Sequence, residues 1–290
     1  MMNSLFQQKR LMIQRSIRII GIFFITFVFI GYAGAQDSQL AESRLYAENI
    51  PDTSSELPPL RLRVGITPDY PPVIFTQGKR IVGIEADMAR MLRDELKRPL
   101  AFVVLRWDEQ IQALMSGKID IIMSGISRTR ARQVRIAFTN PYTKSGLLTA
   151  IRAEDSQTYT SKRNIFAHVK RVGAIKNTTG DVFIKRNFQK SVMKKMYPNA
   201  QAGIEALKRK VIDAFIHDAP AIIWLSSENE ADISAIWEPL NEEYLAWGVR
   251  KSDENLRLNL NAILERWKKD GTLQKVLHRW LPPDYCECFK

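Results

Sequence analysis

Two short stretches place opposite fixed charges at the ends of apolar runs. Asp120 to Tyr142 reads DIIMSGISRTRARQVRIAFTNPY, and Ile216 to Pro220 reads IHDAP. The first is a buried strand running into Ser124-Gly125-Ile126-Ser127, followed by a short helical turn that carries Arg132. The second is an apolar strand ending in His217-Asp218. One guanidinium and one carboxylate at two strand ends, 86 positions apart in sequence, suit a zwitterionic amino acid. Its α-carboxylate takes a two-pronged guanidinium with hydroxyl and N–H donors, and its α-ammonium takes a carboxylate. Ser127 and Asp218 also stand where helix N-caps would, and the two roles are compatible. The chain has only three histidines, His168, His217 and His278. No carboxylate lies at ligand spacing from them, so neither a metal nor another cofactor is expected.

The elements that must hold these residues follow from periodicity. Leu60 to Ile66 alternates as a strand does, and Gly65 to Pro72 (GITPDYPP) is a loop at its C-terminal end. Ile84, Met88, Leu92 and Leu96 share one helical face. Phe102 to Leu105 is a strand, and a helix through Ile111, Leu114 and Met115 stops at Gly117. Ile119 to Met123 is a strand, apolar but for Asp120. After Leu147 to Ile151 the order repeats. Val172 to Ile175 is a strand, Asp181 to Met196 and Ile204 to Arg209 are helices, Val211 to Ile216 is a strand and Ala219 to Ser227 a helix. Leu245 to Val249 is a last strand before two amphipathic helices, Asn255 to Lys268 and Thr272 to Leu281. Alternation of this kind predicts an α/β fold with mostly parallel sheets flanked by helices. Ligands of open α/β sheets sit beyond the carboxyl ends of the strands. The loops after Ile66, Met123, Ile175 and Ile216 lie there.

The chain has 290 residues, with 43 basic against 31 acidic residues and a net charge of +12. Lys9, Arg10, Arg15 and Arg18 precede an apolar run, and the other basic residues are scattered over helix faces. No basic stripe with interleaved aromatics is present, so nucleic acid is not an expected partner. Residues 1–35 read as a signal peptide, with Ile19 to Ile30 as its apolar region and Ala33-Gly34-Ala35 as the cleavage site. The alternative is an uncleaved anchor to the inner membrane, at the short limit of about 17 residues for a bilayer span. Residues 36–59 read as a flexible linker. Cys286 and Cys288, in the tail 286–290, are assigned no role.

These segments resemble, in order, the periplasmic solute-binding proteins of family 3, which serve polar amino-acid ABC importers. LRVGITPDYPP is similar to the family's opening strand and loop, and IVGIEADMARML to its first helix. DIIMSGISRTRARQVRIAFTNPYTKSGLL is similar to its central signature, and EYLAWGVRKSDENLRLNLNAILERWKKDGTLQKVLHRWL to its closing pair of helices. KSGLL at Lys144 to Leu148, Lys176 and His217-Asp218 bring the likeness nearest to glutamine-binding proteins. The resemblance implies a two-lobed periplasmic binding protein fold of type II. Lobe 1 would take residues 60–147 and 249–285, and lobe 2 residues 148–248. Hinge strands would run through Leu148 to Ile151 and Tyr244 to Gly248.

The resemblance also implies roles for single residues. Arg132 would clamp the ligand carboxylate, assisted by Ser127, Ser124 and the N–H groups around Gly125. Asp218 would hold the ammonium and His217 would line the cleft. Tyr70 and Trp107 would be aromatic walls, and Thr179, Gly180 and Lys176 would close from lobe 2. Thr67 stands where the glutamine and basic amino-acid binders carry an Asp. With Lys176 near the side chain, that departure implies a neutral polar or acidic ligand. The expected protein is a monomeric receptor delivering an amino acid to a membrane permease. Two alternatives remain: a cyclohexadienyl dehydratase-like enzyme with Glu243 as general acid, and a periplasmic sensor or accessory protein.

Overall fold

The computed structural model describes residues 61–283 and 285. The expected signal peptide, the linker and the cysteine tail lie outside these residues. Among the described residues no helix is long and apolar enough to cross a membrane.

Two five-stranded sheets carry the fold. The first has the order β5 (Leu100–Val104), β1 (Leu62–Ile66), β6 (Ile121–Ile122), β15 (Gly248–Val249) and β7 (Ala137–Phe138). The second has the order β11 (Met193–Tyr197), β10 (Arg171–Ile175), β12 (Ala214–Asp218), β9 (Leu147–Arg152) and β13 (Ile233–Ile236). In each, the first three strands run parallel and the remaining pairings are antiparallel. The chain thus builds the same sheet twice. A small sheet of β2 (Asp69–Tyr70), β3 (Ile74–Gln77) and β4 (Arg80–Val82) follows β1. One antiparallel pair, β8 (Thr143–Ser145) with β14 (Glu243–Leu245), stands apart from both large sheets.

Helices α1 (Ile84–Glu95), α2 (Gln110–Met115) and α3 (Arg130–Gln133) belong to the first half. The second half has α4 (Lys162–His168), α5 (Thr179–Asn187), α6 (Ala200–Lys208) and α7 (Ala219–Glu228). The chain then returns to the first sheet and adds α8 (Glu254–Lys269) and α9 (Thr272–Trp280). Gly65 and Gly173 occupy matching places in β1 and β10. A Cβ on Gly65 would meet Ile119 Cδ1 at 2.3 Å, and one on Gly173 would meet Ile212 Cδ1 at 2.6 Å. Only glycine admits so close an approach.

The two sheets are also locked by the same ionic device. In the first, the Arg63 guanidinium grips Asp120 through Nε (3.1 Å) and Nη2 (2.6 Å), and Arg250 Nη2 adds a third bond at 3.0 Å. In the second, Arg171 grips Asp213 through Nε (3.2 Å) and Nη2 (2.5 Å), with Arg152 Nη2 at 3.6 Å. Burial alone would raise the Asp120 carboxyl, but its arginine bonds hold it down at about 2.

Three expectations change. The helix read over Asp181 to Met196 ends at Asn187, because Phe188 turns to extended backbone, and Met193–Tyr197 becomes an edge strand. Its Lys194 and Lys195 suit an edge, and the Met-Lys-Lys-Met pattern fits either period. The strand read over Leu245 to Val249 divides into β14 and β15, with Ala246 and Trp247 between them. Residues Leu148 to Ile151 lie within β9 of the second sheet, and the antiparallel pair apart from both sheets uses residues 143–145 and 243–245.

Candidate functional site

The carboxyl ends of β1, β6, β10 and β12 converge on one cleft. Its lining includes Thr67, Asp69, Tyr70, Trp107, Ser124, Gly125, Ser127 and Arg132 from the first half. The second half supplies Ile175, Thr178, Thr179, Pro198, Asn199, His217 and Asp218. Nine of the residues singled out in the sequence therefore meet here: Tyr70, Trp107, Ser124, Gly125, Ser127, Arg132, Thr179, His217 and Asp218. Two do not line it. Lys176 is exposed and lines an outer groove with Arg106, Trp107 and Asn177. Gly180 is buried in the first turn of α5, where a Cβ would stand 3.1 Å from the Ile216 carbonyl oxygen. It serves packing between α5 and β12.

Arg132 follows from its local sequence. Thr129 caps α3 by accepting a hydrogen bond from the Arg132 N–H, which starts a single turn. The guanidinium then folds back, and its Nη1 donates to the Ser127 carbonyl at 2.8 Å. Its carbon lies 5.2 Å from the centre of the Trp107 ring, a cation–π stack. Desolvation lowers the Arg132 pKa, and the charges of Asp218 and Glu243 partly restore it. Among the described residues no carboxylate lies within ion-pair distance of this guanidinium. It is a half-buried cation with its remaining N–H groups unclaimed by any anion.

Asp218 ends β12 and precedes α7, yet its side chain makes no capping bond. The carboxylate instead accepts a hydrogen bond from the Tyr70 hydroxyl at 2.8 Å, across the cleft. Its other oxygen lies 3.7 Å from His217 Nδ1. The Tyr70 and His217 rings face each other with centres 5.1 Å apart. Trp107 Nε1 also crosses the cleft, donating to the Asn177 carbonyl at 3.0 Å. Tyr70 and Trp107 are therefore walls that also tie the two halves together.

Ser127 is not the N-cap of α3. Its hydroxyl donates to Glu243 Oε2 at 2.5 Å. Glu243 Oε1 accepts from Asn241 at 2.9 Å. Burial raises the Glu243 pKa, and the nearby Asp218 charge raises it further. Ser124 accepts from the Thr67 N–H at 2.8 Å and so fixes the loop after β1. The Gly125 N–H donates to Glu85 Oε2 at 2.7 Å. Glu85 is fully buried, and burial pushes its carboxyl up to about 8. Gly125 itself has φ +65, and a Cβ there would strike Tyr70 Cε1 at 2.3 Å.

The sequence reading missed Asp69, Thr178, Asn199 and Glu85. Thr178 and Asn199 were visible as N-cap types ahead of helical patterns, and each caps its helix, α5 and α6. Asp69 was visible only as the acid in GITPDYPP, two residues past Thr67. Its carboxyl is raised, first by desolvation, with an opposing effect of the nearby His217. Thr67 itself is fully engaged, since its hydroxyl donates to the Leu105 carbonyl (3.0 Å) and accepts from Gln110 Nε2 (2.9 Å). Among the described residues no group of three or more His, Cys, Asp or Glu side chains could hold a metal ion.

A twinned sheet with a charged cleft at the strand ends is the architecture of two-lobed binding proteins. Residues 62–283 match the Bacterial extracellular solute-binding proteins, family 3, and the chain belongs to that family. Curated relatives include the L-cystine-binding protein of Escherichia coli (strain K12), 25% identical over 225 residues, covering 77% of this chain and 83% of that one. The histidine-binding periplasmic protein of Salmonella typhimurium is 29% identical over 237 residues, covering 78% and 89%. Among solved structures, holo ArgBP from T. maritima is 26% identical with a TM-score of 0.66, covering 74% of this chain and 95% of that one. An ancestral amino acid-binding protein, a precursor of cyclohexadienyl dehydratase, is 27% identical with a TM-score of 0.70, covering 76% and 95%. The curated relatives are binding proteins rather than enzymes. The likeness to glutamine-binding proteins expected from KSGLL and Lys176 is not echoed in these names.

Proposed function

We propose that this protein is a periplasmic receptor that captures one free α-amino acid and delivers it to an ABC importer in the inner membrane. The observation that carries this is the Arg132 guanidinium, desolvated in the cleft and paired with no carboxylate. Leaving such a group without its anion is costly, and an α-carboxylate supplies two parallel bonds to it. Asp218 faces it from the other half, free of any capping duty, and suits the α-ammonium. Closure over the ligand would be a hinge motion through β8 and β14, with the ligand selecting the closed state. Export through the N-terminal signal, transfer to a permease and a monomeric state belong to the same reading.

The preference for a neutral polar or acidic side chain rested on two premises. One was that no carboxylate replaces the missing acid at Thr67, and the other that Lys176 reaches the ligand. With Asp69 in the cleft lining and Lys176 on the outer groove, neither premise supports a choice of side chain. A general-acid role for Glu243 draws no support from geometry. Glu243 is absent from the cleft lining, and both its oxygens accept hydrogen bonds from the protein.

A thermal-shift screen of the purified protein against the twenty amino acids, prephenate and arogenate tests the proposal. A ligand that binds only the native state raises the midpoint. A selective rise with one or a few amino acids is expected. A rise with prephenate alone, with release of phenylpyruvate, would overturn it.

A further inference from the structure

Glu85 lies fully buried in the first turn of α1 and lines no part of the cleft, yet it holds two of the loops that do. Its backbone N–H donates to the Val73 carbonyl at 2.9 Å, and the Ile84 N–H donates to the Pro72 carbonyl at 3.0 Å. These bonds anchor the loop that carries Tyr70. Its side chain reaches the loop after β6, where Oε2 accepts from the Gly125 N–H at 2.7 Å. Gly125 in turn lies against the Tyr70 ring, since a Cβ there would stand 2.3 Å from Cε1. The far end of that ring is the hydroxyl that donates to Asp218 at 2.8 Å. One carboxyl thus anchors a stack that runs from Ser124–Ser127, beside Arg132, through Tyr70 to Asp218.

The surroundings select the form of the carboxyl that does this. The titratable group turned towards it is the Tyr142 hydroxyl, with Tyr70, Tyr285 and Asp218 beyond, and none of these is a cation. Burial keeps the carboxyl neutral up to about 8. Once ionised, it would be an unpaired anion beneath the loop that receives the ligand's α-carboxylate, opposed by desolvation and by like charge. Resting on the amino-acid reading above, we infer that Glu85 is a positioning residue for that site, setting the Ser124–Ser127 loop and the Tyr70 wall through its un-ionised carboxyl. Capture of the amino acid is therefore coupled to a proton that the ligand never touches.

Isothermal titration of the purified protein against the twenty amino acids and cystine first finds the tightest binder, which then serves as the probe at pH 6 and pH 9. Glu85→Gln keeps an acceptor for the Gly125 N–H and cannot ionise. It should bind the probe within threefold of wild type at pH 6. Wild-type affinity relative to Glu85→Gln should then fall about tenfold by pH 9, roughly one unit above the carboxyl's own midpoint. Taking the ratio cancels the titration of the probe's ammonium. Glu85→Leu removes the anchor and should lose at least tenfold at pH 6. Melting midpoints at each pH separate loss of fold from loss of affinity, and if Glu85→Leu does not fold, the ratio decides alone. An unchanged ratio between pH 6 and 9, or a folded Glu85→Leu that binds within threefold of wild type, would overturn this inference and leave the receptor reading standing. Binding of none of the amino acids would overturn both.

Discussion

Replacing Arg132 by Ala should separate ligand binding from stability, because its two sets of contacts have different sizes. On the protein side it makes one bond to the Ser127 carbonyl (2.8 Å) and one stack on Trp107 (5.2 Å). Such contacts are worth about 1–3 kcal/mol together, and the relief of desolvation offsets part of that. The midpoint without ligand should therefore fall by no more than about 10 °C. On the ligand side, a buried carboxylate would lose its two-pronged partner, which costs about 3–5 kcal/mol. At 1.4 kcal/mol per decade, affinity falls by roughly two to four orders of magnitude. Arg132→Lys keeps the charge and loses the fork, so an intermediate loss of about tenfold is expected. Calorimetric titration with an amino acid that stabilises the wild type, alongside melting curves without ligand, reads both effects. Binding by Arg132→Ala within threefold of wild type would refute the clamp. A large fall in the ligand-free midpoint with equal loss in Arg132→Lys would mark a structural arginine.

Glu85 should make stability fall as pH rises. Its folded-state carboxyl, raised to about 8 from an ordinary 4.5, contributes fully below about 4.5 and is lost as pH climbs through about 8. Glu85→Gln should flatten that dependence by up to about 4 kcal/mol between pH 5 and 8.5 in urea titrations, and an unchanged slope would count against the buried acid. Tyr70→Phe removes the hydroxyl that orients Asp218, and a roughly fivefold to thirtyfold loss of amino-acid affinity is expected by calorimetry. Gly125→Ala should lower the melting midpoint by at least about 5 °C, because it combines a left-handed φ with a Cβ inside Tyr70. A midpoint equal to wild type would mean the loop can move.

Much of this was legible because strand ends and helix faces are written in local periodicity. Ile84 to Leu96 and Thr272 to Leu281 keep one apolar face, and the short apolar run Ile121 to Met123 holds the buried strand β6. That nine of the expected residues line one cleft was legible through the order of the loops that carry them. Lys176 was not, because sequence adjacency to Thr178 and Thr179 does not say which side of the loop faces the cleft. The positive φ of 63 at Asn177, next to it, bends the chain there. Asp69 was hidden because the loop GITPDYPP gives no local sign of which of its side chains faces the cleft. The edge strand Met193–Tyr197 was hidden because its partner, β10, lies some twenty positions upstream and leaves no local trace.

The strand order has a consequence for how the chain matures. Every strand of the second sheet lies within Leu147–Ile236, one unbroken stretch. The first sheet is interrupted: β15, at Gly248–Val249, sits between β6 and β7, and Arg250 closes the Asp120 lock. During synthesis from the N-terminus, the second half has all its pieces while the first still shows a bare β6 edge. Unpaired edges of that kind invite wrong partners. The second sheet therefore has all its strands in the chain before the first does, and the return strand β15 covers the edge that the first half leaves open until then.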